Sequence, residues 1–74
     1  MTAGIPPAEL DVYRLAAKVY RRARRMGAPE KDCHYAAAQA VLYLWPWLGE
    51  EPAEVLAREI ILFVSREYPE WFWR

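Results

Sequence analysis

The fifteen residues from Tyr35 to Gly49, YAAAQAVLYLWPWLG, are apolar on nearly every helical face, with Gln39 the only polar side chain among them. A helix that is apolar all round has to be surrounded. In a chain of 74 residues, two short flanking helices cover two sides of a third. Cover for the remaining side is therefore expected from another polypeptide, either a second copy or a different partner. The sequence says more about assembly than about chemistry.

A chain this short needs help to stay folded, and its composition leaves assembly as the source of that help. It holds one domain at most, and a lone core of about 70 to 80 residues seldom supplies more than roughly 3 to 5 kcal/mol. Disulfides need pairs, and Cys33 is the only cysteine; a structural zinc site needs about four ligands. An unpaired thiol suits a reducing compartment, and we read no charged start with an apolar run and a cleavage site, so the expected location is cytoplasmic. The apolar stretch falls short of the roughly 20 residues of a membrane span, and Pro46 interrupts it. The absence of Asn, the single Gln, six prolines and eight Arg against two Lys would suit a thermophile; a GC-rich genome produces the same bias.

Periodicity predicts an all-α fold, a short three-helix bundle with a central apolar helix and an aromatic C-terminal tail. After a flexible segment over 1–7, a first helix is expected over about 8–26, with Pro6 and Pro7 at its start and Gly27 as a left-handed stop. Val12, Ala16, Val19, Ala23 and Met26 follow a 4-3-4-3 spacing, widened by Tyr13, Leu15 and Tyr20. Opposite them lie Arg14, Lys18, Arg21 and Arg25. A second helix is expected over about 29–45, with Pro29 at its first position, Glu30 and Asp32 facing the positive end of its dipole, and Pro46 ending it. The third is expected over about 52–68, beginning at Pro52 with Glu50, Glu51 and Glu54 around its amino end. Its apolar face comprises Leu56, Ala57, Ile60, Ile61, Phe63, Val64 and Tyr68, while Val55 and Leu62 fall on the otherwise polar side. Trp71, Phe72 and Trp73 are too costly to leave wholly in water and should lie on the middle helix or on a partner.

Charge is balanced overall and divided along the chain. Residues 1–31 hold seven cations against three acids, and residues 32–74 hold three cations against seven. In an up-down-up bundle the basic end of the first helix and the acidic start of the third lie at opposite poles, so an antiparallel pair of subunits would bring them together. The partner or oligomer interface expected from these patterns comprises Tyr35, Ala36, Gln39, Ala40, Tyr43, Trp47, Val55, Leu62, Trp71 and Trp73, because small alanines permit close approach and Trp and Tyr are favoured anchors.

Nucleic-acid-backbone binding through Arg14, Lys18, Arg21, Arg22 and Arg25 is the second expectation: the stripe spans roughly 17 Å, enough for two or three phosphates. Against it stand the zero net charge and a pI near 6.6, where a dedicated binder is usually basic. Membrane-surface association is weaker still, since the apolar side of the first helix lacks bulky Trp, Phe or Leu. Asp32-Cys33-His34 is the one cluster of catalytic residue types, but adjacent helical residues point about 100° apart. Glu30 and His34, one turn apart, offer two metal ligands rather than four. With one Ser, one Thr and no glycine-rich loop, the expectation is no catalytic residue, no cofactor and no enzyme. A non-enzymatic interaction module is expected, of the kind that small accessory proteins of microbial or viral mobile elements provide.

Overall fold

A computed structural model describes residues 7–74. The described chain is helical, with no strand: α1 (Pro7–Arg25), α2 (Glu30–Leu44), a single 3₁₀ turn over Pro46–Leu48, α3 (Glu50–Glu67) and a short α4 (Pro69–Phe72). Residues 1–6 of the segment expected to be flexible lie outside the described residues, and Pro7 is already helical.

Each boundary has a local cause. At the end of α1, the Gly27 amide donates to the Arg24 carbonyl and the Ala28 amide to the Ala23 carbonyl, both at 3.0 Å. These two bonds make a Schellman cap, and Gly27 supplies the positive φ of 90° that it requires. The helix therefore stops at Arg25, and Met26, expected to extend the apolar stripe, is 75% exposed on the cap. Pro29 is not the first helical residue of α2. It is extended, with ψ of 158°, and serves as the N-cap, its carbonyl accepting from the Asp32 and Cys33 amides. Likewise α3 starts at Glu50, two residues earlier than expected, because Gly49 at φ 91° turns the chain. Pro52 then occupies the third position, where an amide would have no intrahelical partner in any case.

α1 and α2 form a hairpin, the most extensive packing in the molecule. Small side chains let the axes approach: Ala16 and Ala17 on α1 and Ala37, Ala38 and Ala40 on α2 are all buried, together with Val12, Tyr20, Cys33 and Val41. The burial of Ala17, off the expected stripe, broadens the inward arc of α1 because two elements press on it. α3 contributes Ala53, Ala57, Ile60, Ile61 and Val64.

The third helix does not run alongside the first in an up-down-up register. Glu54 and Arg58, in its first half, line one groove with Lys31, His34 and Tyr35 near the start of α2. Phe63, further on, meets Tyr13 near the start of α1, edge-on at 5.7 Å. A parallel neighbour would place Phe63 closer to the level of Tyr20. α3 thus crosses the hairpin obliquely, from the α2 side to the α1 side, and the molecule is flat, 35 × 28 × 15 Å. Crossing obliquely leaves Phe63 and Tyr68, expected on the inner face, exposed at its edge.

Candidate protein interface

The aromatic tail is anchored by one ring. Phe72 is 1% exposed and stacks on Tyr20 of α1 at 5.5 Å. Its other face meets Arg24, whose guanidinium lies 4.6 Å from the Phe72 centroid and 4.8 Å from that of Trp73. Arg24 also donates a hydrogen bond to the Phe72 carbonyl, one of the acceptors that the end of α4 leaves free. Arg21 sits 4.7 Å over Trp71. Arg21 Nε and Arg24 Nη1 are buried with no hydrogen-bond partner, and the negative faces of these rings offset part of their desolvation. The tail therefore folds on α1, not on the middle helix as expected.

That packing alters both sets of expected binding residues. Of the basic stripe, Arg14, Lys18, Arg22 and Arg25 are exposed, whereas Arg21 is half-buried under Trp71. Of the tail, Trp73 remains 63% exposed and Trp71 is exposed at its outer edge.

α2 divides lengthwise. Its inner arc is buried, while Tyr35, Gln39 and Tyr43, four residues apart, form an uncovered strip on the opposite side, Tyr43 being 80% exposed. Ala36 borders that strip and is half-buried; Ala40, expected to meet a partner, is already covered by the chain itself. Trp47 is exposed on the 3₁₀ turn, where it leans on the half-buried Trp45 at 6.0 Å. Val55 and Leu62, seven residues apart and thus close together around the α3 axis, are both exposed, Leu62 at 60%. The expected interface residues therefore fall into three groups: the α2 strip continuing to Trp47, the α3 pair, and the tail tryptophans on α1. A groove of about 360 Å³ lies between α2 and α3, with Tyr35 of the strip on one wall and Glu54 and Arg58 on the other; neither Val55 nor Leu62 lines it.

Two titratable groups, Cys33 and Tyr20, are shifted by their surroundings. Burial pushes the Cys33 thiol above its ordinary value, with Asp32 and Glu30 adding to the shift and Arg24 opposing it. Its Sγ donates to the Ala28 carbonyl at 3.6 Å. The Tyr20 hydroxyl is raised too, by burial first and then by Glu30 and Cys33. His34 rests its ring edge-on against Tyr20 at 4.9 Å and points Nε2 at Glu30 Oε2, 3.6 Å away. Those two residues were the candidate metal ligands, and among the described residues no third His, Cys, Asp or Glu joins them.

Among the described residues no Lys or Arg lies within ion-pair distance of an Asp or Glu; the one such contact is from the His34 imidazole to Glu30. Among those residues, cations of the first half and acids of the second do not neutralise one another. No helix among the described residues is long and apolar enough to cross a membrane. In comparisons with known proteins, no family model, curated protein or solved structure matches the chain.

Proposed function

We propose that this chain is a non-enzymatic protein-interaction module that docks on another polypeptide through the outer strip of α2, Trp47 and the outer pair of α3. One observation carries the reading: Tyr35, Tyr43, Trp47, Val55 and Leu62 all remain exposed although the chain has only a small core in which to hide such groups. Single exposed apolar residues are ordinary, but aromatic residues clustered along one helix and beside a groove mark association surfaces. The covering molecule is a protein, a second copy or a larger partner, and a buried lone thiol suits a reducing compartment such as the cytoplasm.

Hydroxyl-radical footprinting tests the reading without knowledge of the occupant. Tyr35, Tyr43 and Trp47 should be protected in the cells that make the protein and become reactive when the purified chain is diluted. Equal reactivity in both settings contradicts it.

A second reading draws on the exposure of Arg14, Lys18, Arg22 and Arg25. These four cations could track a nucleic-acid backbone without reading its sequence, now without help from Arg21. Affinity would then fall steeply with salt and weaken when Arg22 and Arg25 become Glu; no binding at low salt ends that reading.

A further inference from the structure

Resting on the second reading, in which the α1 cations track a nucleic-acid backbone, we infer that the partner is single-stranded nucleic acid, its bases stacking on Trp73 and Trp71. The fold itself brings the two kinds of group together. Phe72 is the ring that goes inside, 1% exposed, while Trp71 on one side of it is 38% exposed and Trp73 on the other 63%. Arg21 lies over Trp71 at 4.7 Å and Arg24 over Trp73 at 4.8 Å. Each indole is thus held by a guanidinium of α1 and still offers aromatic surface to water. Lys18 and Arg25, three residues before and four after Arg21, share its side of α1, and both are exposed. Free cations therefore flank the place where Trp71 rests.

Charge says what this surface takes. Arg14, Lys18, Arg22 and Arg25 stand exposed over roughly 17 Å of helix, and none has an ion-pair partner among the described residues. No acid occurs in α1 after Asp11. In the tail the one acid, Glu70, is balanced by Arg74, both exposed. What these cations lack is an anion, and a phosphate backbone supplies anions in a row. The indoles then separate the candidates. A duplex keeps its base faces inside the stack and gives the rings nothing to meet, whereas an unpaired strand presents a base face at every nucleotide. An anionic lipid surface fits less well, because interfacial binding inserts the apolar side of a helix, and that side of α1, with Val12, Ala16, Ala17 and Tyr20, is buried in the bundle. Stacking accepts any base, so no sequence preference is expected.

Anisotropy of an end-labelled oligothymidylate at low salt reads the binding, and the same strand paired with oligoadenylate or challenged with phosphatidylglycerol vesicles separates the partners. The single strand should bind about tenfold more tightly than the duplex, despite the denser charge of the duplex, and vesicles should not displace it. Trp73→Ala should weaken strand binding about tenfold, the scale of one lost base stack. Trp73→Phe should keep most of the affinity, and neither change should alter the salt dependence. Arg22→Glu with Arg25→Glu should weaken strand and duplex alike and flatten that dependence. All three positions are exposed, and far-ultraviolet circular dichroism checks that the variants fold. If nucleic acid binds but Trp73→Ala makes no difference, or the duplex binds as well as the strand, the stacking inference is overturned and the backbone reading stands. Displacement by vesicles overturns it in favour of a lipid surface. No binding of either nucleic acid at low salt ends both.

Discussion

Arg24 and Phe72, 48 residues apart in sequence, meet twice: the guanidinium lies over the ring, 4.6 Å from its centroid, and donates to the backbone carbonyl of the same residue. A side chain from the last turn of α1 thereby fixes the far end of the chain. The anchored tail also withdraws one member of the solvent-facing cation stripe, since Arg21 sits against Trp71. Arg24→Ala should cost about 2 kcal/mol, the combined scale of a part-buried cation–π contact and one charge-assisted hydrogen bond. Arg24→Lys should recover little of it, because a single ammonium cannot contact the Phe72 and Trp73 rings and reach the Phe72 carbonyl together as the branched guanidinium does. Urea unfolding followed by tryptophan emission checks both, and the Ala variant should show red-shifted emission from the freed tail before the main transition.

Within the tail the three aromatic residues should behave differently. Phe72 is the second layer of the Tyr20 ring, and Phe72→Ala should cost about 3 to 5 kcal/mol, close to all that a domain of this size possesses. Trp73→Ala, at a largely exposed position, should cost less than about 1 kcal/mol. Thermal melts of the two variants side by side provide the check; equal losses would contradict the assignment of Phe72 as the anchor.

Alkaline pH should destabilise the fold in two steps. Cys33 and Tyr20 both hold their protons more tightly when folded, burial being the main cause in each. Stability from this source is complete below the unfolded values. As pH rises past 9.0 for the thiol and 10.0 for the phenol, the unfolded chain ionises first and the folded state loses ground until its own raised pKa values are passed. Denaturant midpoints measured across this range should fall, and Cys33→Ala should remove the earlier step and leave a somewhat smaller later one, because burial, the main cause of the Tyr20 shift, remains while the contribution of Cys33 is lost.

Substitutions on the proposed docking surface should separate folding from association. Tyr43→Glu with Leu62→Glu changes two exposed side chains outside the core, so stability of the single chain should stay within about 0.5 kcal/mol per site. Protection of the strip in cells should nonetheless be lost. A large loss of stability without any change in protection would point to a structural role for these residues instead.

The helices were legible because their signals are local. Periodicity of apolar residues, proline near each start and glycine after α1 give three long helices, each within two residues of its observed ends. The misplaced starts share one cause: proline suits several positions at a helix start, and its presence does not say which, so Pro29 is the extended cap itself while Pro52 sits at the third position behind Gly49 at positive φ. Exposure of Tyr35, Tyr43, Val55 and Leu62 was legible too, from their placement off the inner arcs; that of Trp47 was not, since an apolar turn after α2 reads as packed and Trp47 is exposed. Tertiary choices were not. Nothing nearby in sequence says that Phe72, rather than Trp71 or Trp73, is the ring that goes inside, since the choice is made by Tyr20 and Arg24 far away. One available signal was the position of Arg24 itself, a turn after Tyr20 on the inward side and off the line of Arg14, Lys18, Arg21 and Arg25. The oblique path of α3 is a tertiary arrangement, which periodicity along one helix does not encode.

Light scattering during gel filtration puts the most direct question to the molecule, namely whether the uncovered strip of α2 finds a second copy. The purified chain should elute with the mass of two subunits and keep most of that mass at high salt, which screens charges but leaves an apolar contact through Tyr35, Tyr43 and Trp47 in place. A mass of one subunit at every concentration and salt would contradict self-association outright.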